Sequence, residues 1–358
     1  MSSTNNKVLK IGLLGCGQIS QFAHLPALMQ ARGVKLAAIC DGAPDLLHKM
    51  GARTGVTSLF TDYHQFLEQA DIEAVLIAVP DEFHLSLSQE ALEAGKHVLV
   101  EKPLAVSSAE CALLSESVSR SGKKLQVGSM KRHDPGIAFA REFVRDKVGA
   151  IISASGWYRD SIFRYDMQDA ILPRVAASSK SIRPAADPKT TDRRHYSFVT
   201  HGAHLFDTLR FLAGDISSLS ASSIEKFNQY SWHGLLHFES GALGHFELSV
   251  KVSGDYTEGY VVHGEKGSVM INTFLPFYYR PSEVRAFDGE TQQWHTPLGS
   301  HSNPYKNQIE AFAKSILEDR PTNPNAVDGW AAVNLLEAVE ESVKSGGRVD
   351  VCGQTVGV

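Results

Sequence analysis

The chain has 358 residues, 43% of them hydrophobic and 21% charged, with a formal net charge of −5. That length favours two domains over one. The slightly acidic balance leaves no electrostatic footprint for nucleic acid, and no apolar run reaches the ~18 residues of a membrane-spanning helix. The opening MSSTNNKVLK is polar and lacks the apolar stretch of a signal peptide. Cys16, Cys40, Cys111 and Cys352 show no paired metal-ligand spacing. A reducing cytoplasm is therefore the expected compartment.

Residues 8–15, VLKIGLLG, read as a short buried strand that ends in glycine. Gly15-Cys16-Gly17-Gln18-Ile19-Ser20 follows, then a helical stretch, then the apolar run Val34 to Cys40 closed by Asp41. Strand, glycine turn, helix, strand and terminal acid is the order of a dinucleotide-binding unit. Gly15 permits the tight turn. Gly17 lets the main chain approach a pyrophosphate, and the helix start at Gln18 and Ile19 offers free N–H groups. Ser20 stands in place of the third glycine and is small enough to pack. Asp41 can accept from both ribose hydroxyls and would repel a 2′-phosphate, and no arginine follows it, so NAD is expected over NADP.

Further pairs follow down the chain. Gly55 to Phe60 and Tyr63 to Gln69, Ala74 to Val79 and Leu85 to Ala94, Val98 to Val100 and Ser108 to Ser121, then Leu125 to Gly128, alternate strand with helix. They predict a doubly wound parallel Rossmann sheet over 1–128. Ligands bind beyond the carboxyl ends of such strands. Pro80, His84, Glu101, Lys102 and Lys131 all lie just past predicted strand ends, and an ammonium at Lys102 could hydrogen-bond an oxygen that is becoming a carbonyl.

The central block AVPDEFHLSLSQEALEAGKHVLVEKPLA (78–105), with IGLLGCGQIS, Cys40-Asp41, QVGS and GEKGSVMI, resembles the Gfo/Idh/MocA family of oxidoreductases (glucose-fructose oxidoreductase, inositol dehydrogenase, rhizopine catabolism). The resemblance spans nearly the whole chain. It implies an NAD-dependent dehydrogenase acting on a secondary hydroxyl of a sugar, glycoside or cyclitol, or on the matching ketone. It implies that Lys102, in Glu101-Lys102-Pro103, faces the nicotinamide and the substrate hydroxyl. Pro80, His84 and Glu101 are then expected along the cofactor.

The stretch YSFVTHGAHLFDTLRFLAGD, 196–215, reads as a helix with His201, His204 and Asp207 along one side. The resemblance assigns acid–base work to an aspartate and to a histidine four residues later. His204 matches the histidine, and Thr200 stands where the aspartate belongs. Threonine donates and accepts hydrogen bonds but cannot act as a carboxylate base. His204 is the first candidate for proton relay, since a histidine titrates near operating pH, and His201 is a candidate to share the task. The His-x-x-His-x-x-Asp spacing also admits a metal reading, but a third firm ligand is not evident, so no metal is expected.

Residues 129–358 predict an α+β substrate-binding and oligomerisation domain. It carries a large, mostly antiparallel open sheet, with strands from Ile151, Gly234, Leu243, Tyr260 and Ser268, and its last helices return to the first domain. The irregular segment 160–195 is expected to roof the substrate cleft, with Tyr158, Arg159, Arg164 and Tyr196 reaching a sugar beside Lys131, His201 and His204. The resemblance implies a homodimer or homotetramer through the open sheet. Two other readings stay open: a glycosidase that oxidises its substrate transiently with NAD, and a non-enzymatic nicotinamide sensor.

Overall fold

Apolar runs bounded by glycine and by capping residues build the first half of the chain. β1 (Leu9–Leu14), β2 (Val34–Cys40), β3 (Leu59–Phe60), β4 (Ala74–Ile77), β5 (His97–Glu101) and β6 (Leu125–Gly128) form one parallel sheet in the order β3-β2-β1-β4-β5-β6. The computed structural model describes residues 7–163, 175–184 and 191–351. Every residue of β4 is buried, as expected of a strand covered on both faces. The connecting helices are α1 (Leu25–Gln30), entered through a wider π turn at Ser20–His24, α2 (Pro44–Thr54), α3 (Tyr63–Gln69), α4 (His84–Glu93) and α5 (Ser108–Ser121). The ends of α5 follow from its sequence. Ser107 Oγ accepts from Glu110 N at 3.3 Å at the start, and Gly122 turns out of the helix at φ 65°.

The second sheet is longer-stranded. After α6 (Pro135–Phe143) come β7 (Ile151–Ser161), α7 (Arg193–Ala213), β8 (Ile216–Lys226), β9 (Gln229–Phe238), β10 (Leu243–Val252), β11 (Thr257–Gly264), β12 (Gly267–Thr273), β13 (Glu283–Asp288) and β14 (Gln293–His295). Helices α8 (Pro304–Leu317) and α9 (Ala326–Ser345) and strand β15 (Arg348–Asp350) complete the described chain. The nine strands run β14-β13-β12-β11-β7-β10-β9-β8-β15, and only the β7–β10 pair is parallel. Helix α7 packs its apolar stripe on one face. Phe206 meets Phe246 edge-on at 5.0 Å between ring centroids, and Leu205 fits over Gly156, where an added Cβ would come within 3.0 Å of it. Burying such a stripe is worth ~1.5–3 kcal/mol per large side chain.

The chain divides into two compact units. The first holds the parallel sheet and also takes in residues 175–184 and 305–330; the second holds the nine-stranded sheet. Within the first unit, Tyr305 stands edge-on to His24 at 5.4 Å, and Gly329 lies against Leu104 and Val127. Of the segment 160–195 the structure describes the two ends and residues 175–184. β7 runs on to Ser161 and α7 starts at Arg193. Residues 175–184 lie against the glycine-loop side of the first unit. The Gln21 amide pairs with both main-chain groups of Ala176 at 2.8 Å, Ser178 donates to Asp45 at 2.7 Å, and Ile182 rests on Gly42.

Candidate active site

In the first unit the glycine loop, Asp41, Pro80 and Lys102 follow the carboxyl ends of β1, β2, β4 and β5. The strand order reverses between β1 and β4, which is where open parallel sheets bind ligands. Gly15 sits at φ +94°, and a Cβ there would lie 2.3 Å from Ala78 O at the end of β4. No other residue type fits. Gly17 and Gln18 are exposed, and a Cβ on Gly17 would meet no protein atom within 4 Å. Asp41 Oδ2 accepts from Cys16 N at 2.6 Å and Oδ1 from Ala43 N at 2.8 Å. The carboxylate thus braces the loop and still has lone pairs for a ribose. The turn at Gly17, Gln18 and Ile19, with its first two residues exposed and Asp41 beside it, fits a dinucleotide: the loop would take the pyrophosphate and Asp41 the ribose.

Lys102 is half-buried and joined to Pro103 by a cis peptide bond. Glu101 is buried. Its Oε1 meets His24 Nε2 at 2.8 Å, and its Oε2 accepts from Lys102 N at 3.1 Å. Burial pushes the Glu101 carboxyl up, but the hydrogen bond and charge of His24, with Lys102 beside it, outweigh this and hold it below its ordinary value. His84 has no exposure at all. Its Nδ1 donates to Pro103 O at 2.7 Å and its Nε2 lies 3.2 Å from Val79 O. Both ring nitrogens of His84, expected along the cofactor, are turned to main-chain carbonyls, and the side chain ties two loops together.

The second unit draws together Lys131, Tyr158 and His201 and adds residues that sequence reasoning passed over. Lys131, in the 3₁₀ turn Met130–His133, pairs with Glu258 of β11 and stands 4.9 Å from the centre of the Tyr158 ring. Glu258 also accepts from Tyr256 and, at 2.6 Å, from Tyr260. Both phenols are pushed well above 10, by burial first and then by the Glu258 charge. Tyr158 Oη lies 3.2 Å from His201 Nδ1, and His201 Nε2 lies 3.4 Å from Asp160 Oδ2. Thr200 and Tyr196 are half-buried on α7, as is His204, almost a full turn beyond His201.

Two placements differ from expectation. Successive strand residues face opposite ways, so with Tyr158 on the face covered by α7, Arg159 stands on the other. There it forms a two-pronged pair with Glu247 of β10, at 2.6 and 2.5 Å. Arg159 and Tyr158 cannot serve the same side of the sheet. Asp207, read beside the histidines, is buried in a two-pronged pair with Arg132 at 3.0 and 2.8 Å. Arg164 lies outside the described residues. Among the described residues no group of three or more His, Cys, Asp or Glu is disposed to hold a metal, and no helix is long and apolar enough to cross a membrane.

Asp160 and Glu258 carried a signal. Gly156-x-Tyr158-x-Asp160 and Glu258-x-Tyr260-x-Val262 each place an acid in phase with the buried residues of a strand. A buried carboxylate requires a partner, and the partners come from distant parts of the chain.

Comparison with known proteins agrees with this architecture. Residues 9–129 match "Oxidoreductase family, NAD-binding Rossmann fold" and residues 161–351 match "Oxidoreductase family, C-terminal alpha/beta domain". The inositol 2-dehydrogenase of Rhizobium meliloti (strain 1021) is 26% identical over 96% of this chain and 99% of its own. The levoglucosan dehydrogenase of Pseudarthrobacter phenanthrenivorans is 23% identical over 96% and 98%. A solved levoglucosan dehydrogenase, in complex with NADH and L-sorbose, superposes with a TM-score of 0.80 over 97% of this chain and all of that one at 22% identity, a likeness of fold. With both halves matched and the glycine loop and Asp41 in place, the chain is an NAD-binding oxidoreductase of the Gfo/Idh/MocA family.

Proposed function

We propose that this protein is an NAD-dependent dehydrogenase that oxidises a secondary hydroxyl of a sugar, glycoside or cyclitol, or reduces the matching ketone. The observation that carries the reading is Lys102: a half-buried ammonium directly after the carboxyl end of β5, in the same unit as the glycine loop and Asp41. The relatives named inositol and levoglucosan dehydrogenase support the polyol class. NAD supplies the hydride acceptor when bound. The residues of this chain do the rest. Gly15, Gly17, Gln18, Ile19 and Asp41 hold the dinucleotide. Lys102 hydrogen-bonds the substrate oxygen and favours its developing charge. His204, with His201 and Thr200, handles the hydroxyl proton, and Lys131, Tyr158 and Tyr196 belong to the substrate side. The open face of the nine-stranded sheet is the surface for assembly into a homodimer or homotetramer.

The test is NADH formation over a panel of inositols, aldoses, ketoses and simple glycosides, with NADP in parallel and product NMR on the best substrate. Net NADH with one polyol, and much less NADPH, is the expected result. Hydrolysis of a glycoside with no net NADH would replace this reading with transient oxidation. NAD binding with no turnover on any member would leave a nicotinamide sensor.

A further inference from the structure

We propose that Asp160 is the positioning carboxylate of a buried Asp160–His201–Tyr158 relay, and that it fills the role Thr200 cannot. The inference rests on the dehydrogenase reading above and names how its proton is handled. The geometry comes from two periodicities. On β7, Tyr158 and Asp160 are two apart, so both point at α7 with their Cα atoms roughly 7 Å apart. The imidazole of His201 bridges that interval. Nδ1 lies 3.2 Å from the Tyr158 hydroxyl, Nε2 lies 3.4 Å from Asp160 Oδ2, and the two rings are 5.0 Å apart between centroids. All three residues are nearly removed from water, at 4%, 7% and 5% exposure for Tyr158, Asp160 and His201.

The hydrogen-bond inventory sets the direction. Nε2 of His201 stands at ion-pair distance from Asp160, and a carboxylate only accepts, so the relay places the Nε2 proton on the Asp160 side. In the neutral ring Nδ1 is then an acceptor, and the Tyr158 O–H donates to it. When Tyr158 takes up a proton from a hydroxyl undergoing oxidation, its own proton passes to Nδ1. One O–H bond of the phenol breaks as another forms, one N–H bond forms, and the imidazolium that results stands against the Asp160 carboxylate, which favours the charged ring. The surrounding charges come from every neighbouring element. Lys131 leans on the Tyr158 ring from its 3₁₀ turn and is neutralised by Glu258, which with Tyr260 comes from β11; Tyr256 stands just before that strand, and Thr200 and His204 lie on α7 itself. Thr200 offers no carboxylate, and Asp160 reaches the helix from the sheet instead of from the preceding turn.

The experiment is histidine-selective ¹⁵N NMR of the intact protein, with His201 assigned by its loss in His201→Gln. In the wild type, His201 should appear as the Nε2–H tautomer at neutral pH. In Asp160→Asn its titration should move down by about one pH unit, and Asp160→Glu should restore it. The acid limb of kcat/KM should move in the same direction, with kcat falling about 10²-fold. A His201 that titrates identically with and without the Asp160 charge, or that is an Nδ1–H tautomer in the wild type, would overturn the relay. Both NMR readings need no substrate. They decide the relay even if the substrate panel gives no turnover, and an active enzyme with an unmoved His201 would refute the relay alone.

Discussion

Glu258→Gln tests whether the buried cluster of the second unit is a charge pair or only a set of packed polar groups. Glu258 is 1% exposed and its side chain receives Lys131, Tyr256 and Tyr260. The amide keeps the volume and one acceptor oxygen, so the fold has no steric reason to change. It removes the charge facing Lys131. The amide oxygen can still accept from Lys131 and Tyr256 while its NH₂ turns to Tyr260, whose hydroxyl can rotate to accept, but the ammonium is left buried without a counter-charge. Breaking a buried ion pair from one side costs ~3–5 kcal/mol. For a unit of this size each kcal/mol is worth ~2–4 °C, so the transition should fall by about 6–20 °C. Tryptophan fluorescence is suited to the assay, because Trp157, Trp232 and Trp294 lie in strands of the second unit and only Trp330 lies in the first. Lys131→Met combined with Glu258→Gln should recover much of the loss, since no charge is then stranded. A single Glu258→Gln variant that melts within about 2 °C of wild type would mean that Lys131 and Glu258 exchange with water, and the account of the cluster as a desolvated pair would be wrong.

Lys102→Ala should leave NADH affinity nearly unchanged, because the dinucleotide contacts are assigned to the loop and to Asp41, while single-turnover hydride transfer slows by ~10²–10⁴-fold; transfer within a few-fold of wild type would make Lys102 a solvated strand-end residue. Lys102→Arg should fail as well, because the planar fork cannot occupy the point of an ammonium. Asp41→Asn should weaken NADH binding by about 10–100-fold, the ~1.5–3 kcal/mol of a charge-assisted hydrogen bond, and should narrow the gap to NADPH in a fluorescence titration. His195 is raised above its ordinary value chiefly by its hydrogen bond to Glu340 at 2.8 Å, against the opposing effect of burial. A raised histidine stabilises the fold fully below its unfolded pKa of about 6.5 and loses that contribution as pH rises through the folded value. The difference in urea midpoint between wild type and His195→Gln should therefore be present near pH 6 and fade above neutrality; a difference that grows with pH would reverse the assignment.

The parts of the molecule that were legible in the sequence are those whose causes are local. β4 is a run of apolar residues, α5 lies between a serine cap and a left-handed glycine, and Gly15 is required by an approach to β4 that the fingerprint itself implies. The second sheet was harder to read because its strands interrupt the apolar phase. β8 reads ISSLSASSIEK, and its serines mask a strand in which Ile216, Leu219 and Ala221 are nonetheless buried. Extending β7 three residues, from Tyr158 to Ser161, changes the chemistry assigned to each side chain. Within a strand Arg159 turns away from Tyr158 and Asp160 turns toward α7, whereas in an irregular loop all three were free to gather. The same holds for Glu258, which stands in the buried phase of β11 just before the run from Tyr260 that sequence alone marked as the strand.

What the sequence could not supply was the partner of each buried charge. Lys131 and Glu258 are 127 residues apart, and Arg132 and Asp207 are 75 apart. No periodicity spans such distances. Yet a carboxylate in the buried phase of a strand demands a cation or donors at the same depth, because leaving it unpaired would cost more than the rest of the strand gains. Asp160 and Glu258 are such acids, on strands that pair directly with one another. Their partners, His201 and Lys131, come from the covering helix and from a turn, so these two strands alone bring both carboxylates beside Tyr158. The acid–base machinery of this chain is therefore to be sought on the sheet as much as on the helix where the motif places it.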